Sequence, residues 1–137
     1  VKLPESMKLP KLLNLHRPSN NQSLGFYGED LATAFLRKKR FRILKRNFKA
    51  RYGEIDIIAI DRDTLVFVEV KTRIGREYGL PEESVTPRKI RELKKTAEYY
   101  KLKHPELPEL LRLDVVAIEL DEDRKLLSLR HIPNASQ

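Results

Sequence analysis

The stretches Glu54-Ile55-Asp56-Ile57-Ile58-Ala59-Ile60 and Leu65-Val66-Phe67-Val68-Glu69-Val70-Lys71, joined by Asp61-Arg62-Asp63-Thr64, decide the fold. Both are rich in Ile, Val and Phe, and the linker has the chemistry of a tight turn, so they read as a hairpin of two central strands. A turn on Arg62-Asp63, or on the four residues Asp61 to Thr64, makes residues whose numbers sum to 125 face each other. On that register Asp56 lies opposite Glu69 and Glu54 opposite Lys71, with paired Cβ atoms roughly 4.5–5.5 Å apart. Because side chains alternate, all four are expected on one face, continuing a floor of Ile58, Ile60, Leu65 and Phe67. Val66, Val68 and Val70 fill the opposite face of the second strand, so charges at its end are costly to bury without partners.

Two carboxylates at such a separation repel unless a proton or a cation lies between them. Oxygen ligands of this kind suit Mg2+ or Mn2+ rather than zinc. Such an ion lowers the pKa of a bound water and offsets charge on a phosphoryl oxygen, and Lys71 is placed to position that water. Taken without the register, Glu69-Val70-Lys71 reads first as an ordinary solvated strand with a cross-strand ion pair.

Outward from the hairpin, Ser23 to Lys39 carries Gly28, Leu31, Ala32, Phe35 and Leu36 at helical spacing, with Ser23 as N-cap. Phe41 to Phe48 alternates apolar and basic residues and reads as an outer strand. Arg73 to Val85, with Gly75, Gly79 and Pro81, has no period and reads as a loop. A second helix opens on the cap Thr86 and Pro87, buries Ile90, Leu93, Ala97 and Tyr100, and ends near His104-Pro105. Leu113 to Leu120 and Lys125 to Ile132 read as two further strands around the turn Asp121-Glu122-Asp123. The expected order is helix-strand-strand-strand-helix-strand-strand, a single α/β domain with a mixed central sheet.

The chain of 137 residues has no Cys, which excludes disulfides, thiolate zinc sites and cysteine nucleophiles. His16, His104 and His131 show no metal-ligand spacing and read as surface or loop residues. No apolar run is long enough to cross a bilayer, and Pro4, Pro10 and Pro18 interrupt the first 22 residues, so no membrane partner and a cytoplasmic location are expected. The net charge of +8 is concentrated in two runs, nine basic residues between Arg37 and Arg51 and seven between Arg88 and Lys103. Beside a carboxylate cluster, these runs favour a polyanionic partner. No GxxxxGK[ST] or GxGxxG loop is present, which weighs against a nucleotide hydrolase.

Asp56 followed by Glu69-Val70-Lys71 is similar to the PD-(D/E)XK pattern of restriction-endonuclease-like nucleases, with the proline before the aspartate absent. The wider text includes Gly28-Glu29, Arg46-Asn47, Gly53-Glu54-Ile55-Asp56-Ile57-Ile58-Ala59, Val66-Phe67-Val68-Glu69-Val70-Lys71-Thr72-Arg73, Gly79-Leu80-Pro81, Lys89 and Arg112-Leu113-Asp114-Val115-Val116. Over about Leu24 to Ile118 it resembles the bacterial YraN-like family, whose pattern is nearest to archaeal Holliday-junction resolvases. The resemblance implies a restriction-endonuclease-like domain over residues 23–132, between a basic N-terminal tail at 1–22 and a short C-terminal tail at 133–137. It implies Mg2+- or Mn2+-dependent hydrolysis of phosphodiester bonds in DNA, branched DNA included, leaving a 5′-phosphate and a 3′-hydroxyl. The implied catalytic residues are Asp56, Glu69, Lys71 and Glu29, the last reaching in from the first helix. The metal ligands would be Asp56, Glu69 and the backbone carbonyl of Val70, with Glu54 and Glu29 as further candidates.

From the residues alone, Glu29 is equally a carboxylate placed on the helix dipole, and Glu54 equally the counter-charge of Lys71. Arg73, Lys89, Arg51, Arg46 and Arg88 are the candidate nucleic-acid contacts. Lys89, near a helix N-terminus, gains a reason for its place if a phosphate binds there. Tyr27 and Tyr78 are placed either to pack or to stack on bases. Related nucleases often act as dimers, which allows a homodimer here. The competing expectation is a nucleic-acid-binding accessory protein that keeps the fold and hydrolyses nothing.

Overall fold

A computed structural model of the chain describes residues 23–136, so the N-terminal tail assigned to 1–22, with His16, lies outside the described residues. The elements are α1 (Leu24–Lys38), β1 (Arg42–Ala50), β2 (Gly53–Asp61), β3 (Thr64–Ile74), a 3-10 helix (Pro81–Ser84), α2 (Pro87–Lys103), β4 (Leu110–Leu120) and β5 (Leu126–Ile132). The expected order lacked the 3-10 helix. It forms inside the segment expected to be a loop, where Pro81 starts a single turn and the Ser84 hydroxyl donates to the Pro81 carbonyl at 2.7 Å. Among the described residues no helix is long and apolar enough to cross a membrane.

One five-stranded mixed sheet runs in the order β1-β2-β3-β4-β5. β3 and β4 are parallel, joined by the α2 crossover, and every other pair is antiparallel. The β2–β3 hairpin turns on Arg62-Asp63, with Asp61 opposite Thr64 and Ile57 opposite Val68, the register expected from the sequence. Arg62 takes the left-handed conformation that this two-residue turn requires, φ 57°.

The helices cover opposite faces of the sheet. Leu31, Ala32, Phe35 and Leu36 of α1 pack on Ile57, Ala59, Val66, Val68, Val70, Val116 and Ile118. Leu93, Ala97 and Tyr100 of α2 pack on Ile55, Ile58, Leu65, Phe67 and Leu113. β3 is therefore buried on both sides along most of its length, and each of its large side chains contributes roughly 1.5–3 kcal/mol of burial. Ser23 caps α1 by accepting from the Phe26 N–H at 3.1 Å, and Thr86 caps α2 by accepting from the Lys89 N–H at 3.2 Å.

Two ionic clusters fix the periphery. Arg130 of β5 forks onto Glu82 at 2.6 and 3.0 Å and also reaches Glu119 at 2.6 Å, while Arg76 binds Glu119 at 2.6 Å. The segment between β3 and α2 is thus tied to β4 and β5, which fixes where α2 begins. On β4, Asp114 accepts from Arg112 at 2.8 and 2.9 Å, from the Asn134 N–H at 3.0 Å, and meets His131 Nε2 at 2.7 Å. Burial alone would raise the pKa of Asp114, but the bonds from His131 and Arg112 hold it below the usual range. His131 lies in β5 with its ring against Phe35 and Phe41, not at the surface or in a loop. Its place beside the buried Asp114 carboxylate explains why an imidazole occurs in an otherwise apolar strand context.

Gly28 brings α1 onto β3. A Cβ built there would lie 1.8 Å from Thr72 Oγ1, so only glycine lets the helix approach at this point. Gly28→Ala is expected to destabilise the fold by about 1–3 kcal/mol through overpacking. Urea unfolding should show Thr72→Ala recovering part of that loss in the double variant. Additive losses would contradict the close approach.

Candidate functional site

The β2–β3 ladder is paired from the turn as far as Ile57 and Val68 and goes no further. Had the register continued, Val70 would have faced Ile55. Instead, the Val70 N–H donates to Asp56 Oδ2 at 2.8 Å, so a side-chain carboxylate occupies the place of a strand carbonyl. In a strand the N–H and C=O of one residue face the same neighbour. The Val70 carbonyl therefore faces the same opening as the Asp56 carboxylate.

A break in alternation creates the opening. Ile55 and Ile57 are two residues apart, yet Ile55 belongs to the α2-side core and Ile57 to the α1-side core. β1 does the same: Arg46 pairs with Asp30 of α1 while Phe48 packs with the α2-side residues. Between the pairs Arg46/Ile57 and Phe48/Ile55 lies Asn47, in the left-handed conformation at φ 52°. Asparagine tolerates this geometry better than most residues. Both strands switch face at the Asn47–Asp56 level, and β2 leaves β3 there.

This corrects the expectation of four charged side chains on one face with Glu54 opposite Lys71. Glu54 pairs with Lys49 of β1 at 3.7 Å, and its side chain is 60% exposed. Strict alternation carried Glu54 to the wrong place because the strand does not alternate through Asp56. Glu69 and Lys71 remain together, Lys71 Nζ lying 4.0 Å from Glu69 Oε1. Lys89, from the first turn of α2, lies 3.4 Å from Glu69 Oε2.

Glu69 is only 5% exposed. Its burial and then the nearby Asp56 carboxylate push its pKa up to about 7, against the opposing pull of Lys89 and Lys71. Glu29 projects from α1 toward the same place. Burial and then Asp56 push its pKa up to about 7 as well, while Arg46 opposes the shift. Buried oxygens of both residues, Glu29 Oε1 and Glu69 Oε2, lack a hydrogen-bond partner. Asp56 is thus the charge common to both, with one carboxylate on each side of the sheet pressed toward it.

Such a set fits a hard divalent cation: oxygen donors, mutual repulsion, and a buried Glu29 Oε1 without a hydrogen-bond partner, while Glu69 Oε2 has only the Lys89 ammonium at 3.4 Å. Among the described residues no three His, Asp or Glu side chains are gathered closely enough to hold an ion by side chains alone. The donor set that fits is therefore Asp56, Glu69 and the Val70 carbonyl, with Glu29 at its margin and Glu54 outside it.

The candidate nucleic-acid contacts divide. Lys89 faces the carboxylates. Arg73 lies two residues beyond Lys71 and donates to the Thr72 carbonyl at 3.1 Å. Arg46 is held by Asp30 at 2.8 Å and is half-buried, with its Nε and Nη2 buried and unbonded, so it acts on Glu29 rather than at the surface. Arg88 pairs with Glu92 at 3.5 Å on an exposed turn, and Arg51 lies over Tyr52 at the β1–β2 turn. Tyr27 packs against the α1-side core, whereas Tyr78 is 88% exposed. Asn47 enters the sequence reading only within a resemblance, and nothing in the local pattern marks it as the residue that turns the strand. In the hollow at the opposite end of the hairpin, lined by Asp61 to Thr64 and Arg112, the half-buried Arg112 is already bonded to Asp61 and Asp114.

A family model described as "Uncharacterised protein family UPF0102" matches residues 28–118, a span that includes Glu29, Asp56, Glu69, Lys71 and Lys89. A UPF0102 protein from Syntrophomonas wolfei is 47% identical over 115 residues, covering 84% of this chain and 98% of the relative. Those from Geobacter metallireducens and Caldicellulosiruptor saccharolyticus are 45% and 41% identical over 116 residues, each covering 85% of this chain and 93% and 98% of the relative.

Both glutamates titrate higher in the folded chain than at their ordinary value of 4.5, so the folded state retains protons that the unfolded state releases. Their contribution favours folding below about pH 4.5 and is lost as pH rises through 7. Glu69→Gln should accordingly raise the thermal midpoint of metal-free protein at pH 8 by several degrees, on the order of 1–2 kcal/mol, and leave it nearly unchanged at pH 4.5. Equal midpoint shifts at the two pH values would count against the carboxylate repulsion.

Proposed function

The chain belongs to the UPF0102 family, and from that premise we propose that it is a nuclease of the restriction-endonuclease-like PD-(D/E)XK type, hydrolysing phosphodiester bonds in DNA with Mg2+ or Mn2+. The observation that carries the proposal is the Asp56 carboxylate seated on the Val70 N–H at 2.8 Å, with the buried Glu69 beside it. Branched or otherwise structured DNA is the expected substrate, and the protein acts alone or as a homodimer.

The cation, held by Asp56, Glu69 and the Val70 carbonyl, would supply a water of lowered pKa and charge compensation at the phosphoryl oxygen. The remaining roles fall to the chain's own groups. Lys71, tethered near Glu69 at 4.0 Å, holds its ammonium where it orients an attacking water and steadies the phosphorane. Lys89 adds its charge to the N-terminal end of α2, where the helix dipole favours a phosphate. Glu29, on the far side of Asp56, is placed to take a proton from the attacking water. Arg73 extends this positive lining beyond Lys71.

One observation favours the second reading, a nucleic-acid-binding accessory protein without turnover: Lys71 and Lys89 both face Glu69, so its charge is partly compensated without any cation. Cleavage separates the two. Purified protein with Mg2+ or Mn2+ should cut a branched or nicked DNA. Asp56→Ala and Glu69→Ala should each lower the rate at least about a hundredfold while DNA affinity stays within about threefold. Wild-type protein that cuts no branched, nicked or single-stranded DNA in either metal leaves only the accessory reading.

A further inference from the structure

The exposed side of α2 and the adjoining β1–β2 turn carry aromatic and basic groups in alternation. Tyr52, at the turn, is 48% exposed and lies 5.9 Å from both the Arg51 guanidinium and the Lys95 ammonium, one on its own turn and one on α2. Four residues along the helix from Lys95 is Tyr99, 39% exposed, stacked on Phe48 of the edge strand with rings 25° from parallel and 6.5 Å apart. Four further is Lys103, whose ammonium lies 5.7 Å over the Tyr99 ring. Residues four apart form a continuous ridge on a helix surface. Two acids flank this ridge on the helix: Glu92, paired with Arg88 at 3.5 Å, and the exposed Glu98, three residues from Lys95 and next to Tyr99.

We infer that the ridge Tyr52–Lys95–Tyr99–Lys103 is a binding track for a single-stranded polynucleotide, its bases stacking on the two tyrosines and its phosphates lying along the lysines and Arg51. Three features support this occupant. Tyr52 and Tyr99 are partly exposed in the company of cations, the combination of aromatic and basic groups by which single strands are held without sequence readout. The charge is complementary, because this is one of the two basic runs of a chain carrying +8. The track also shares its helix with the candidate site: Lys89, which meets Glu69, and Lys103 both belong to α2, about 21 Å apart along the axis at 1.5 Å per residue. A duplex offers stacked bases that cannot open onto the tyrosines, so the track selects unpaired strands, such as those next to a junction, gap or flap. This deepens the nuclease reading by naming the part of the substrate that the protein grips, and it rests on that reading only for its link to cleavage.

The test is binding of full-length protein to fluorescein-labelled oligo(dT), oligo(rU) and a duplex of equal length, by anisotropy in EDTA, so that no cleavage enters. Tyr52→Ala should weaken oligo(dT) binding about tenfold and Tyr52→Phe should restore it, while duplex binding changes little. Lys95→Ala should reduce the slope of log affinity against log salt by about 0.7, one phosphate contact on a single strand. Tyr99→Ala also removes a ring from Phe48, so its thermal midpoint is measured alongside, and Tyr52→Ala, at an exposed turn, is the deciding variant. Equal binding of oligo(rU) and oligo(dT) identifies a track that reads strands and not sugars; preference for one names the strand. Unchanged oligo(dT) affinity in Tyr52→Ala, or an equal loss on duplex, overturns the inference. Binding that behaves as expected in a protein that cleaves nothing would sink the nuclease reading and leave the track standing.

Discussion

The arrangement depends on one hydrogen bond, from the Val70 N–H to the Asp56 carboxylate at 2.8 Å. A β-ladder that ends inside a domain leaves backbone donors and acceptors unpaired, and unpaired groups out of reach of water cost stability. Here the donor is satisfied by a carboxylate, which sets a negative charge at the end of the hairpin. The left-handed Asn47 lets β1 and β2 change face together at this level. The strand separation, the position of Asp56 and the free edge of β3 are thus consequences of one local irregularity.

Helix placement then determines the surroundings of that charge. Gly28 allows α1 to lie directly on Thr72, which brings Glu29 to one side of Asp56. The Arg130–Glu82–Glu119 cluster holds the approach to α2, which brings Lys89 to Glu69 on the other side. Buried Glu69 and half-buried Glu29 are driven toward neutrality first by desolvation and then by the same aspartate, which Lys89 and Lys71 oppose at Glu69 and Arg46 at Glu29. A structure optimised for stability alone would replace such acids with apolar groups. Their presence beside two lysines is consistent with the proposed cation and phosphate site.

Much of this was legible in the sequence because the hairpin is regular where it is buried. Ile58 to Ile60 against Leu65 to Phe67 left one sensible register, and the caps Ser23 and Thr86 set both helix starts. Glu54 is misplaced because a period-2 pattern cannot reveal where a strand stops alternating, and nothing in the local sequence marks Asn47 as that point. The Pro81–Ser84 turn was hidden by its shortness. The buried Asp114–His131 pair and the Glu119 cluster join β4 to β5 and to the segment before α2, and no local pattern reports contacts between such separated segments.

Asp56 links the titration of Glu69 and Glu29, so a cation held by Asp56, Glu69 and the Val70 carbonyl would act on both glutamates. Metal binding must displace the protons that Glu69 and Glu29 retain near pH 7. Titration calorimetry with Mn2+ at pH 6.5, in two buffers of different ionisation enthalpy, measures both binding and proton release. The account predicts one Mn2+ per chain with net proton release, and loss of both in Asp56→Asn. Mn2+ binding that is absent, or that persists unchanged in Asp56→Asn, would contradict it.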